Sequence, residues 1–141
     1  AEHVDRLFES DRVVMIQPYF PSVDTIGETA MVFIDGEFSH SIRKGPMLTA
    51  GREGNKVEGL YVEERITTRQ ATDAELALAR QVLATLPAKF APLLYARVDV
   101  IADADGSPTL LELELTEPSL FFGHSAEAAD RMAAAIISRG S

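Results

Sequence analysis

The segment 94–115 constrains the fold of this chain more than any other stretch. It holds two runs of strand-forming residues, LYARVDVIAD and TLLELEL, on either side of Asp105-Gly106, a dipeptide typical of tight hairpin turns. A two-residue loop at this dipeptide predicts which residues face each other across the hairpin, and side chains alternate between its two faces. We expect one face to enter the core, and its members are aliphatic: Val98, Val100, Leu111, Leu113 and Leu115.

The other face of the hairpin concentrates charge. The predicted register places Asp99 opposite Glu112, and it places Arg97 opposite the next acidic residue, Glu114. Like charges directly opposite each other destabilise a sheet, so Asp99 and Glu112 need a compensating cation. Oxygen ligands suit Mg²⁺ or Mn²⁺ better than zinc, and Arg97 is placed to stabilise charge on a transferred phosphoryl group. The alternative interpretation is a solvated polar face of an amphipathic hairpin.

The beginning of the chain predicts a short helix and a strand. AEHVDRLFES places Val4, Leu7 and Phe8 on one side of a helix that is too short to be stable without a packing partner. Residues 13–17 (VVMIQ) are predicted to form a buried strand, and PYFPSVDTIGE is predicted to be a loop because prolines interrupt it. Because the chain opens on a helical pattern without an initiator Met, we expect it to be a piece of a longer protein; the alternative is a natural short protein with processed ends.

A second hairpin is predicted in the first half of the chain. Residues 28–35 (ETAMVFID) and the run EFSHSIRK flank Asp35-Gly36, a two-residue turn signal. Alternation in the second strand places three residues on one face: Phe38, His40 and Ile42. The glycine-rich stretch 45–59 is predicted to be a loop, and 57–66 is predicted to be extended.

The second half of the chain predicts two helices. Thr72 followed by Glu75 is a capping box, and the helix that it begins carries an apolar stripe of Leu76, Ala79, Leu83 and Leu86 before Pro87. The loop Thr116-Glu117-Pro118-Ser119 offers polar groups for a small substrate, although an ordinary turn would have the same composition. Ser125 is predicted to cap a last helix with the apolar face Ala129, Met132, Ala133 and Ile136. Hairpins that alternate with helices predict an α+β fold, with an antiparallel sheet backed by helices.

Composition narrows the classes of function. The 13 basic and 22 acidic residues give a net charge of −9, which argues against a broad nucleic-acid interface. The absence of cysteine excludes a disulfide scaffold, a thiol nucleophile and a cysteine-ligated zinc site. No apolar run is long enough to span a membrane. We therefore expect one cytoplasmic domain that binds neither nucleic acid nor membranes.

The acidic hairpin resembles the signature of the ATP-grasp superfamily. That signature reads R-x-D and, thirteen residues after the Asp, E-x-N; here it is Arg97-Val98-Asp99 and then Glu112-Leu113-Glu114. The stretch LELELTEPSLFF is most similar to the cyclo-ligases of D-cycloserine biosynthesis, and the glutathione synthetase-like ligases are also similar. The resemblance implies that Asp99, Glu112 and Glu114 bind the metal and that Arg97 lies on the phosphate side. Glu114 departs from the usual Asn and adds negative charge.

The first half of the chain resembles the superfamily more loosely. VVMIQPYF is similar to the hinge that holds adenine, Glu28 (or Asp24) takes the place of the acid that binds the ribose, and the hairpin ending in IRKGP offers contacts for phosphate or an acidic substrate. The nucleotide-binding residues that the resemblance implies are Gln17, Pro18, Tyr19, Glu28, Arg43 and Lys44. Residues 1–141 would thus form the C-terminal ATP-grasp domain of a longer ligase, without the parts that close over ATP from the other side.

The resemblance implies an ATP-dependent, ADP-forming carboxylate–amine ligase that uses ATP and Mg²⁺ (or Mn²⁺). Its substrate would be a small amino-acid-like molecule, activated as an acyl phosphate and held near Thr116 and Ser119. We expect the chain to be inactive alone, and apolar surface left by the absent parts would favour homo-oligomers. The alternatives are a non-catalytic metal- or nucleotide-binding module and an acidic interaction domain.

Overall fold

The chain folds into one five-stranded antiparallel sheet with helices on both faces, in a computed structural model that describes residues 2–9, 13–45 and 65–140. The elements in chain order are α1 (Glu2–Glu9), α2 (Ser22–Thr25), β1 (Glu28–Ile34), β2 (Glu37–Lys44), β3 (Ile66–Thr68), α3 (Asp73–Ala84), β4 (Tyr95–Ala102), β5 (Pro108–Glu114) and α4 (Ala128–Arg139). The strands lie in the order β3-β2-β1-β4-β5. This arrangement confirms the predicted α+β class and the antiparallel sheet.

Helix α3 covers one face of the sheet. Its predicted capping box is present, because the Thr72 side chain accepts from the Glu75 amide while the Glu75 carboxylate accepts from the Thr72 amide. Ala79 is buried, and Leu76 and Leu83 pack against the core as predicted. The sheet residues of this core cluster are Met31, Phe33, Ala96, Val98 and Val100.

Helix α4 covers the other face through small residues, but the predicted face is wrong. The helix begins after Glu127 rather than at Ser125. Its buried stripe is Ala128, Met132 and Ala135, which packs on Val32 and Ile34 of β1. The helix offers two apolar stripes because it is rich in alanine, and only contact with β1 decides which one is buried. Of the predicted face only Met132 is buried; Ala129, Ala133 and Ile136 are exposed.

The β1–β2 hairpin turns as predicted but contains an irregularity. Asp35 and Gly36 both have positive φ, at 53° and 81°, which is the backbone of a two-residue hairpin turn. Phe33 pairs with Phe38 and Val32 pairs with His40, so Ser39 is an extra residue in β2. The bulge breaks the alternation. Phe38 therefore packs in the α3 core, and its predicted place on the face of His40 and Ile42 is wrong.

The β4–β5 hairpin has the predicted register near its charged residues, although its turn is longer than two residues. Ala102 pairs with Pro108, so the connection spans 103–107. A bulge at Leu111 then shifts the pairing by one residue, which brings Asp99 opposite Glu112. Leu113 and Leu115 pack against the core as predicted, whereas the bulge takes Leu111 out of the alternation.

The predicted strand at 13–17 is wrong. These residues have no regular structure, and Val13, Met15 and Ile16 are among the most exposed apolar side chains in the described part of the chain. A strand needs a neighbour for its backbone hydrogen bonds, and 13–17 pairs with neither edge of the sheet. The predicted loop after it contains α2. Apart from Gly45, the predicted loop at 45–59 lies outside the described residues. Most of the stretch 57–66, which was predicted to be extended, also lies outside them.

Helix α1 forms where it was predicted, with Phe8 exposed and Leu7 partly buried, while the side chain of Val4 lies outside what is described. Within the described ranges, no helix has the length and apolar content needed to cross a bilayer.

Candidate functional site

The sheet brings three carboxylates together on the face that α4 partly covers. Asp99 lies on β4, and Glu112 and Glu114 lie on β5, where they face Asp99 and Arg97 in the predicted pairs. One carboxylate oxygen from each of the three acids lies within 4.8 Å of the others. Asp99 is 0% exposed, whereas the side chain of Glu112 is 54% exposed. The group is therefore anchored in the sheet at one end and open to solvent at the other.

Arg97 and Asp99 form a buried ion pair within β4. Arg97 Nε donates to Asp99 Oδ1 over 2.9 Å, and Arg97 Nη2 donates to Asp99 Oδ2 over 3.0 Å. The same Nη2 donates to Glu114, and Glu112 Oε2 lies 4.0 Å away. Arg97 is only 4% exposed. Two parallel N–H···O bonds fix the guanidinium plane, as is usual for arginine–carboxylate pairs.

Lys44 reaches this pair from the far side of β1. Its Nζ lies 2.6 Å from Asp99 Oδ2 and 3.6 Å from Glu28 Oε2. Lys44 pairs with Glu28 in the β1–β2 register. Two residues further along β1, Ala30 pairs with Ile42 of β2 on one side and with Asp99 of β4 on the other. Because Ala30 is small, the lysine side chain can cross over β1. We refer to Glu28, Lys44, Arg97, Asp99, Glu112 and Glu114 as the charge cluster.

The charges of the cluster perturb one another. Burial lowers the pKa of Lys44, but the charge and hydrogen bond of Asp99 outweigh burial and raise the pKa above its ordinary value. The pKa of Arg97 is raised against burial in the same way. Burial raises the pKa of Glu114, although Arg97 opposes this effect. With four acids and two bases ionised, the cluster carries a formal charge of −2.

The loop that follows β5 completes the surroundings of Arg97. Arg97 Nη1 donates to the Ser119 carbonyl over 3.2 Å, and the Phe121 ring centre lies 5.6 Å from the guanidinium carbon. His40 Nε2 donates to the Leu120 carbonyl over 3.0 Å, which ties this loop to β2. Burial lowers the pKa of His40, so that the neutral ring is favoured.

The predicted nucleotide residues occupy two regions. Gln17, Pro18 and Tyr19 lie together in an exposed segment, where the Tyr19 hydroxyl donates to Asp24 and this bond raises the pKa of Tyr19. Glu28 belongs to the charge cluster.

Arg43 and Lys44 point to opposite faces of β2, although both were predicted to contact phosphate or an acidic substrate. Arg43 lies on the α3 face, where it lines a cavity of about 190 Å³ with Gly45, Arg65 and Thr67. Its Nη2 donates weakly to the Thr25 carbonyl over 3.4 Å. Lys44 alone of the two therefore reaches the carboxylates.

Thr116 and Ser119 lie in the predicted loop and are exposed. It is the Ser119 carbonyl, not its hydroxyl, that contacts Arg97. Sequence reasoning did not find the Lys44–Asp99 pair, nor the parts that Phe121 and His40 play around Arg97. The two consecutive phenylalanines at 121–122 are the sequence signal that could have pointed to Phe121. The direction of the Phe121 side chain, however, depends on the positive φ of 49° at that residue.

Known proteins share both the sequence and the fold of the chain. No family model matches it. The chain is 40% identical over 145 residues to the cycloserine biosynthesis protein DcsG of Streptomyces lavendulae, covering 99% of the chain and 46% of the relative. The crystal structure of the D-cycloserine synthetase DcsG superposes with a TM-score of 0.71 at 37% identity, over 87% of this chain and 41% of that one.

Two more distant structures share the fold alone. The ATP-grasp ligase PsnB in complex with a minimal precursor has a TM-score of 0.52 at 22% identity, over 81% of this chain and 34% of that chain. D-alanine–D-alanine ligase from Bacillus anthracis has a TM-score of 0.51 at 17% identity, over 97% and 45%. The chain thus spans less than half the length of each of these proteins. The chain is related to the ATP-grasp ligases, and its fold is that of their C-terminal portion.

Proposed function

We propose that this chain is the nucleotide- and metal-binding C-terminal part of a longer ATP-dependent, ADP-forming carboxylate–amine ligase. The observation that carries the proposal is the row of Asp99, Glu112 and Glu114 beside a buried Arg97. It supports the proposal because Arg97, Asp99 and Glu112 match the R-x-D and E-x-N signature, with Glu114 in place of the Asn. The chain is also 40% identical to a cycloserine biosynthesis protein.

The residues of the charge cluster fit a divalent cation. Asp99, Glu112 and Glu114 offer only oxygen ligands, which Mg²⁺ and Mn²⁺ prefer. The formal charge of the charge cluster, −2, is equal and opposite to the +2 charge of such an ion. When bound, Mg²⁺ supplies charge neutralisation on the phosphates of ATP. Asp99, Glu112 and Glu114 would hold it.

The proposed reaction joins a carboxylate to an amine in two steps. The carboxylate oxygen attacks the γ-phosphorus of ATP, the bond to the bridging oxygen breaks, and ADP leaves. The nitrogen nucleophile then attacks the carbonyl carbon of the acyl phosphate, loses a proton and displaces inorganic phosphate. Arg97 stabilises the negative charge on the transferred phosphoryl group and on the tetrahedral intermediate. This chemistry needs no side-chain nucleophile.

The remaining predicted contacts belong to the same proposal. Gln17, Pro18 and Tyr19 would hold adenine and Glu28 the ribose. The phosphates or an acidic substrate would contact Arg43 and Lys44. The amino-acid-like substrate would lie near the loop with Thr116 and Ser119. One wall of a site positions reactants poorly, so we expect this chain alone to be inactive.

A metal titration tests the proposal. Mn²⁺ is added to the full chain in metal-free buffer, free Mn²⁺ is followed by its EPR signal, and Mg²⁺-dependent ADP binding is measured by calorimetry. Glu112→Gln should weaken Mn²⁺ binding about tenfold or more, since it removes a mostly exposed ligand without touching the buried Asp99. Glu37→Gln, an exposed strand glutamate outside the cluster, should bind as the unaltered chain does.

Two results would contradict the proposal. The unaltered chain could fail to bind Mn²⁺ at millimolar concentration, in which case the carboxylate row is not a metal site. Alternatively, Glu112→Gln could bind as tightly as Glu37→Gln, which would place the metal elsewhere.

A further inference from the structure

The Lys44 ammonium contacts the buried carboxylate of Asp99, which is one of the three proposed metal ligands. Its Nζ lies 2.6 Å from Asp99 Oδ2, and its side chain is only 12% exposed. We propose that Lys44 is an internal counter-ion that competes with the metal for Asp99, so that metal binding separates Lys44 from this carboxylate. The inference rests on the proposed function, because it needs a metal at the cluster.

The contacts of Asp99 support competition at one atom. Oδ2 accepts hydrogen bonds from Lys44 Nζ over 2.6 Å, from Arg97 Nη2 over 3.0 Å and from Arg97 Nε over 3.2 Å. Oδ1 accepts from Arg97 Nε over 2.9 Å. Each carboxylate oxygen offers about two lone-pair directions. Oδ2 is therefore saturated by the two cationic side chains, and a metal that binds there must displace one of them.

Lys44 is the side chain that can leave. Arg97 is held by three hydrogen bonds to Asp99, by Glu114, by the Ser119 carbonyl and by the Phe121 ring. Lys44 has one short contact with Asp99 and a second acid, Glu28, 3.6 Å from the same nitrogen. Moving from Asp99 toward Glu28 keeps the ammonium paired. Arg97 also has Glu114 and, 4.0 Å away, Glu112 as acidic partners, but leaving Asp99 would break several hydrogen bonds at once.

Electrostatics gives the direction of the effect. A divalent ion on Asp99 would lie close to an ammonium group at hydrogen-bond distance from the same oxygen, and the repulsion between them is large in a partly buried site. Removing the Lys44 charge changes the formal charge of the cluster from −2 to −3, which strengthens the attraction for a divalent ion. Binding of the metal at Asp99 therefore displaces the Lys44 ammonium from this carboxylate.

The simpler alternative is that Lys44 is a permanent structural counter-ion. In that case Lys44 and the metal would occupy the cluster together, and the lysine would have no effect on metal affinity beyond that of any nearby charge. This alternative predicts that the environment of Lys44 does not change when metal binds.

Metal affinity of two variants tests whether the Lys44 charge opposes metal binding, and the labelling experiment that follows separates exchange from a permanent counter-ion. Lys44→Met removes the charge and keeps an apolar stem, and it should bind Mn²⁺ about tenfold more tightly than the unaltered chain. Lys44→Arg keeps the charge, and its affinity should stay within about threefold of the unaltered chain. Circular dichroism of each metal-free variant establishes that it is folded. Equal affinities for folded Lys44→Met and the unaltered chain would overturn the proposal.

Chemical labelling tests the same inference in the unaltered chain. The sequence contains three lysines, so acetylation at each can be followed by mass spectrometry. The side chain of Lys44 is only 12% exposed and contacts Asp99, whereas Lys89 is exposed and serves as the internal reference. Saturating Mg²⁺ should raise the acetylation rate of Lys44 relative to Lys89 several-fold. An unchanged ratio in a sample that demonstrably binds Mn²⁺ would overturn the proposal.

The outcomes also distinguish this inference from the proposed function. Metal binding with no effect at Lys44 rejects the inference and leaves the ligase proposal in place. Metal binding by Lys44→Met alone would mean that the unaltered chain holds no metal at this row, which rejects the ligase proposal and the exchange at Asp99 with it. No Mn²⁺ binding by any of the folded proteins rejects both.

Discussion

Replacing Asp99 by Asn should destabilise the metal-free chain. Asp99 is completely buried, and its carboxylate is the shared partner of Lys44 and Arg97, which are themselves nearly buried. Asn has the same shape but no charge, so the variant leaves the two cations with Glu28, Glu114 and the more distant Glu112 as acidic partners. A buried charge that loses its partner is unfavourable because water can no longer solvate it.

The size of the effect follows from these contacts. Removing one partner of a buried ion pair costs about 3–5 kcal/mol, and the remaining acids place Asp99→Asn near about 3 kcal/mol. For a domain of this length, that loss corresponds to a fall in Tm of about 10 °C. Glu112→Gln provides the contrast, because Glu112 is mostly exposed and lies 4.0 Å from Arg97. Its stability should change by about 0.5 kcal/mol or less.

Urea and thermal unfolding in EDTA, followed by circular dichroism, measure both variants against the unaltered chain. If Asp99→Asn were as stable as the unaltered chain or more stable, the buried pairs would not stabilise the fold, and the cluster would be tolerated repulsion. That result would favour the interpretation of the hairpin as an acidic interaction surface. A similar loss in both variants would instead point to a general effect of charge on the sheet.

Two further predictions follow from the same structure. Gly27 has a φ of 78°, and a Cβ added there would overlap the Lys44 carbonyl oxygen. Gly36 has a similar φ of 81° but open space around it, so Gly36→Ala should cost only about 1–2 kcal/mol of stability. Gly27→Ala should therefore unfold at a lower urea concentration than Gly36→Ala, and equal unfolding midpoints would contradict this. Burial lowers the pKa of His40, so the unfolded chain takes up the proton first and stability should fall as the pH drops below about 6.5. Comparing urea unfolding at pH 7.5 and 5.5, His40→Gln should reduce that fall, and an undiminished fall would assign it to other groups.

Local signals in the sequence predicted the elements that depend on neighbouring residues. The capping box at Thr72 and the turn at Asp35-Gly36 need only a few consecutive residues, and both are present. The facing of Asp99 and Glu112 was also predicted, although by a two-residue turn that does not exist. The long connection and the bulge at Leu111 compensate each other. A correct register near the site therefore did not require a correct turn.

The wrong predictions share one cause. In each of them, the contact that decides the structure comes from another part of the chain. Residues 13–17 have the composition of a strand, but the described sheet offers them no edge. The α4 helix has two apolar stripes, and its packing on β1 selects one of them. The bulge at Ser39 moves Phe38 to the other face, and no local pattern in EFSHSIRK indicates that extra residue.

The two hairpins, the α3 cap and the row of carboxylates could be predicted from the amino-acid sequence, because each depends on alternation or capping within a short stretch. The cations that neutralise this row come from contacts between strands that are distant in the sequence. Lys44 meets Asp99 because β2 and β4 flank β1, and small Ala30 lets the lysine cross between them. Strand order is a property of the whole sheet. The counter-ion of Asp99 could therefore not be read from the residues around it.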